Sequence, residues 1–179
     1  FGIELPWTAM LSILSAIKHC QPKKVSLIHS GLESKADLIH KTVDYPGFDM
    51  MEAGPHWFEG SEMDTARQLY AKVTAPAAKA NLIRLAVLYQ KGGVYLDTDT
   101  ITMQSLDSLK SYQGYCGLEP LALPASLYQS MNPLSWAKAG LLLALRDVCV
   151  RLPQGYKIFK AIEPFYTQGV NNAVMGSVP

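Results

Sequence analysis

An α/β fold is what this sequence predicts, and three observations point to it. A long apolar helix runs through a Gly-Gly pair into a short strand in "AAKANLIRLAVLYQKGGVYLDTDT". An earlier helix leads into a strand in "LPWTAMLSILSAIKHCQPKKVSLIHSG". The chain of 179 residues, 49% hydrophobic and 17% charged, is long and apolar enough to build a core around such units.

Taken in order, Trp7, Met10, Leu11, Leu14 and Ile17 recur at helical spacing, with Pro22 after the helix end. Val25 to His29 then reads as a short strand closing at Gly31. "DYPGFDMMEAGP" is rich in turn residues and holds one more short strand near Met50. Ser61 to Val73 reads as a helix, with Asp64 and Thr65 near its start and Ala66, Leu69 and Val73 on one face. The next helix spans Pro76 to Lys91. Leu82, Ile83, Leu85, Ala86, Val87, Leu88 and Tyr89 circle most of its circumference, the pattern of a helix buried on all sides. Gly92 and Gly93 supply a left-handed cap and a tight turn into a strand at Val94 to Asp97. A weak turn region after Ile101, a strand around Tyr115 to Leu118 and a helix from Leu134 to Val150 complete the elements. With no repeat and no interior linker, residues 1–179 read as a single domain.

Composition excludes several functions. A net charge of +1 offers nothing for nucleic acid or an anionic membrane surface. No run of about 18 apolar residues occurs. The chain opens on Phe1 and stops at "NNAVMGSVP", which reads as a fragment truncated at both ends, with any signal peptide or membrane anchor lying upstream. Cys20, Cys116 and Cys149 show no zinc-ligand spacing and read as small buried hydrophobes, with a disulfide left open. His29, His40 and His56 are scattered and read as solvent or turn positions, and Trp57 with Phe58 as a packed loop anchor.

Two groups of residues could carry chemistry. Asn81 and Arg84 are three apart on the apolar helix and share a face. A guanidinium on such a helix needs a partner, either a core carboxylate or an anionic or hydroxyl-rich ligand. In the following strand, Tyr95, Asp97 and Asp99 point to one side, with the Cα atoms of the two aspartates roughly 6.5 Å apart if the strand continues. Two carboxylates so placed, with no Cys or His beside them, suit Mg2+ or Mn2+.

Ala77, Ala78, Asn81, Arg84, Leu88, Gly92, Gly93, Tyr95, Asp97 and Asp99 together form a pattern of more than chance specificity. It resembles glycosyltransferase family 32 and its relatives, which carry the DXD sugar-binding region on a GT-A fold. "LSILSAIKHCQPKKVSLIHSG" looks like the helix-strand unit preceding that core, and "GVNNAVMGSVP" like the family's Asn-Ala pair before a small-residue turn, whereas residues 120–168 match no part of the pattern. The resemblance implies a GT-A-like, Rossmann-like nucleotide-sugar-binding domain, with a mixed central sheet flanked by helices. It also implies a retaining, metal-dependent transfer of a hexose or N-acetylhexosamine from a UDP- or GDP-sugar to a glycan, glycolipid or glycoprotein acceptor. Asp99 would then bind Mn2+ or Mg2+ directly, and Asp97 would touch the donor ribose and the metal's water shell. Arg84 and Asn81 would hold the sugar hydroxyls, Tyr95 would pack near the nucleotide, and Asn171 and Asn172 would line the sugar or acceptor side. The catalytic set implied is Asp97, Asp99 and Arg84. The family usually has Asp where this chain has Asn81. For a eukaryotic chain the resemblance implies the luminal side of the Golgi membrane.

Spacing assigns no second carboxylate as a covalent nucleophile, and Glu119 is the nearest candidate. Two other classes stay open. "DTDTI" approaches the D-x-D-x-[TV] strand end of aspartate-nucleophile phosphatases of the haloacid-dehalogenase kind, but with Ile101 in the last place. Asn81 also fits a non-catalytic homologue that only binds a nucleotide sugar.

Overall fold

The computed structural model describes residues 5–32 and 35–178. They form a mixed α/β chain: α1 (Trp7–Cys20), β1 (Val25–His29), α2 (Ala36–Val43), β2 (Phe48–Glu52), α3 (Asp64–Lys72), α4 (Pro76–Lys91), β3 (Gly93–Leu96), β4 (Gly114–Leu121), α5 (Pro133–Arg151), α6 (Gly155–Ile162) and β5 (Thr167–Ser177). The chain groups into two compact units, residues 1–115 with 173–179, and residues 116–172, so the division falls within β4 and β5.

In the first unit, β1 and β2 pair in parallel, with Leu27 opposite Met50 and Ile28 opposite Met51. Parallel strands need a crossover, and α2 supplies it as a βαβ unit. Strand alternation covers both faces of this pair. Leu27 and Phe48 pack with Met10 and Ile13 of α1 and Ile39 and Val43 of α2. Ile28 and Met51 face the other way, against Ile83 and Ala86 of α4 and the buried Trp57 and Phe58. Trp57 and Phe58 are 3% and 1% exposed, as a packed anchor requires. Trp57 is also pinned by its indole N–H, which donates to the Glu52 carbonyl, and by its own carbonyl, which accepts from Gln90.

Strand β3 pairs antiparallel with the end of β5, Tyr95 opposite Met175 and Leu96 opposite Val174. The strands of this unit thus belong to two small sheets rather than one mixed central sheet. Residues at the end of β1 and Tyr95 of β3 line one cavity. In the second unit, Ala122, Leu142 and Tyr166 form a small core with Leu143, Phe159 and Ile162. The Tyr166 hydroxyl donates to the Leu142 carbonyl at 2.7 Å. Gly155 lets α6 start against α5, because a Cβ there would lie 1.8 Å from the Cys149 carbonyl oxygen.

Several expectations need correction. Helix α4 has the expected bounds but is not buried all round: Leu85 and Tyr89 are 52% and 58% exposed, and Asn81 lies on the same open stripe. An apolar wheel shows what a helix could bury, and here only Ile83, Arg84, Ala86 and Leu88 find cover. On α1, Trp7 and Leu11 face outward while Met10 and Ile13 enter the core. The helix expected from Ser61 begins as a 3-10 turn at Ser61–Met63 and becomes α-helical at Asp64. Of the cysteines, Cys149 is buried, Cys20 partly so, and Cys116 exposed; all three are free thiols. His29, expected at the surface, is buried at the end of β1.

Candidate functional site

The C-terminal ends of parallel strands are where open α/β sheets present ligand sites, since loops and helix ends converge there. At that end of β1 and β2 lies a cavity of about 80 Å³, lined by Ile28, His29, Ser30, Ala53, Ala80, Ile83, Arg84 and Tyr95. A water occupies roughly 30 Å³ in the liquid, so this space admits a small polar group rather than a whole nucleotide.

Arg84 reaches this wall because α4 places it one turn from Ala80, on the covered side of the helix. It is 7% exposed, and its Nη2 lies 3.0 Å from Asp97 Oδ1. Its guanidinium also lies over the Tyr95 ring, 4.5 Å from the ring centre. Tyr95 closes the triangle, its hydroxyl donating to Asp97 Oδ1 at 2.6 Å. Burial, and after it this hydrogen bond, pushes the Tyr95 phenol above its ordinary range. The residue that orients Arg84 is therefore Asp97, which supplies the carboxylate that Asn81 lacks.

Strand β3 ends at Leu96, and the chain then turns. The Thr100 N–H and hydroxyl both donate to the Asp97 carbonyl, at 3.0 and 2.7 Å. Asp99 therefore sits exposed in a turn, not on the same strand face as Asp97, and the extended geometry expected from alternation stops one residue early. Helix α1 meets this turn. Ser12 Oγ donates to the Asp97 carbonyl at 3.2 Å, and Ser15 Oγ accepts from the Thr102 N–H at 3.0 Å.

Arg84, Tyr95 and Asp97 come together, with Asp99 on the adjoining turn. Asn81 lies on the exposed stripe of α4. Asn171 and Asn172 belong to the second unit, where the Asn171 amide donates to the Glu119 carboxylate at 2.8 Å. No group of three or more acidic, His or Cys side chains that could hold a metal occurs among the described residues. What is present is an all-oxygen donor set, an open Asp99 carboxylate beside an Asp97 already engaged by Arg84 and Tyr95. That set fits a hard cation which keeps most of its waters and takes remaining ligands from a phosphate. His29, which reads from the sequence as a solvent or turn position, lines the cavity instead, and Ser12 and Ser15 are assigned no role by any motif. The serines had a signal: two hydroxyls three residues apart on an otherwise apolar helix face need partners.

The family described as "Glycosyltransferase sugar-binding region containing DXD motif" matches residues 6–115. The chain is 27% identical over 133 residues to Glucan organizing enzyme 1 of Cryptococcus neoformans var. grubii serotype A, covering 74% of this chain and 32% of that protein. It is 51% identical over 39 residues to Uncharacterized protein At4g19900 of Arabidopsis thaliana, 22% of this chain and 6% of that one. The chain thus spans about a third or less of these curated relatives. No solved structure matches it.

Proposed function

This chain belongs to the family of glycosyltransferase sugar-binding regions containing a DXD motif, and we propose that it forms the donor-binding part of a metal-dependent, retaining hexosyltransferase with a GT-A-like fold. The observation that carries this is the buried Arg84, held by Asp97 and Tyr95 in the wall of the cavity, with the exposed Asp99 on the next turn. The donor is a UDP- or GDP-sugar and the acceptor a glycan, glycolipid or glycoprotein. The name of the fungal relative, which refers to glucan, supports a glycan acceptor.

Asp99 would hold Mn2+ or Mg2+ directly, with Asp97 reaching its water shell and the donor ribose. When bound, such an ion stabilises the charge that grows on the diphosphate leaving group. Arg84 would face the sugar hydroxyls and is held in place for that by Asp97. Tyr95 keeps Asp97 oriented and lines the cavity. Asn81, from the open stripe of α4, belongs to the proposed donor contacts, and Asn171 and Asn172 are assigned to the sugar or acceptor side by the family resemblance alone. For a eukaryotic chain a Golgi-luminal location belongs to the same proposal; among the described residues no helix is long and apolar enough to cross a membrane.

A transfer assay with the full-length protein and a panel of UDP- and GDP-sugars tests the proposal. Turnover is expected with one donor class, abolished by EDTA and restored by Mn2+. No turnover of any donor by folded protein supplied with Mn2+ and a range of glycan acceptors contradicts it.

A further inference from the structure

We propose that Ser12 and Ser15 of α1 are positioning residues that clamp the cation-binding turn, a role resting on the donor-binding reading above. The turn carries Asp99 but lies beyond the last ladder bond of β3, in which the Asp97 N–H donates to the Ala173 carbonyl at 2.8 Å. Bonds inside the turn, from Thr100 to the Asp97 carbonyl, set its shape. They do not set where it sits, because both ends of each bond move together. Helix α1 does that. Ser12 Oγ grips the Asp97 carbonyl at one end, and Ser15 Oγ grips the Thr102 N–H at the other, with Asp99 between them. Ser15 also donates to the Ser12 carbonyl at 2.8 Å, which fixes the direction of its hydroxyl and leaves its lone pairs toward Thr102.

Burial gives these contacts weight. Ser12 is 4% exposed and Thr102 8%, so a bond lost here is not replaced freely by water. Asp97 is then held from two sides, by its carbonyl from α1 and by its carboxylate from α4. Asp99 is left as the exposed part of a turn whose ends are anchored. A ligand ordered before binding avoids the entropy of being ordered by it.

The test is Mn2+ affinity of the full-length protein in the presence of saturating UDP or, separately, GDP, read by electron paramagnetic resonance. Ser12→Ala and Ser15→Ala are each expected to weaken Mn2+ binding about three- to tenfold, the range one net hydrogen bond spans. Both are also expected to speed amide exchange across residues 98–102, and Ser15→Thr, which keeps the hydroxyl, to restore wild-type values. Unchanged affinity in both alanine variants overturns the clamp and leaves the donor-binding reading standing. Wild-type protein that binds no Mn2+ with either nucleotide overturns both. If Ser15→Ala fails to fold, Ser12→Ala and exchange at the wild-type Thr102 amide decide. Exchange there as fast as in an open loop contradicts the clamp.

Discussion

At the scale of the residue, Asp97 and Asp99 have different work. Asp97 is tied to a buried guanidinium, and removing one partner from a fully buried pair costs about 3–5 kcal/mol, less here because the Asp97 side chain is 27% exposed. Loss of activity in an Asp97 variant would therefore confuse fold with function, whereas Asp99 is exposed and can be removed cleanly. Tyr95 yields a prediction in pH. Its folded-state pKa lies above that of the unfolded chain, so the folded protein holds the phenol proton more tightly. The stability this contributes is complete below about pH 10, the ordinary tyrosine value, and is lost as pH rises beyond it. Tyr95→Phe should be less stable than wild type by about 1–2 kcal/mol near neutrality, and thermal melts should show that gap narrowing above about pH 10. A gap that stays constant across that range contradicts a phenol whose proton is held by burial and by the bond to Asp97. Strand alternation places Tyr95 and Asp97 on one side, but the sequence leaves the partner of Arg84 open between a core carboxylate and a ligand, and the structure supplies Asp97. The places of His29 and Ser12 were not legible, since burial of a single polar residue depends on what packs over it.

At the scale of the element, helix α4 was legible at both ends, from Pro76 at its first position and Gly92 at its cap. Its burial was not, because periodicity reports the faces that could be covered and not those that are. Strand β5 was missed for a related reason. Gly169, Asn171 and Asn172 are poor strand formers, and the strand exists through its partners. Helix α6 hid behind Pro153 and Gly155, and Gln154 between them takes a left-handed φ of 59° that local pattern does not announce. The Gly-Gly turn before β3 offers a direct check. Gly93 has φ +96°, and a Cβ at this position would meet nothing within 4 Å, so a side chain there meets strain in the backbone and no clash. Gly93→Ala should cost about 1–3 kcal/mol, measured as a lowered denaturant midpoint, and an unchanged midpoint would contradict the strained turn.

At the scale of the whole molecule, the family match at residues 6–115 falls within the stretch of the first unit that carries Arg84, Tyr95, Asp97 and Asp99. The α/β class was readable because helix-to-strand units recur along the chain. The division into two units was not, since it falls inside β4 and β5, where no linker composition marks it. In the proposed function, Asp99 holds the cation through which a nucleotide sugar is bound. Calorimetry of wild type and Asp99→Ala, titrating UDP- and GDP-sugars with and without Mn2+, tests it most directly. Wild type should bind one donor in an Mn2+-dependent manner, and Asp99→Ala should lose that dependence while melting at the same temperature. Equal Mn2+-dependent binding by the two proteins would contradict the claim.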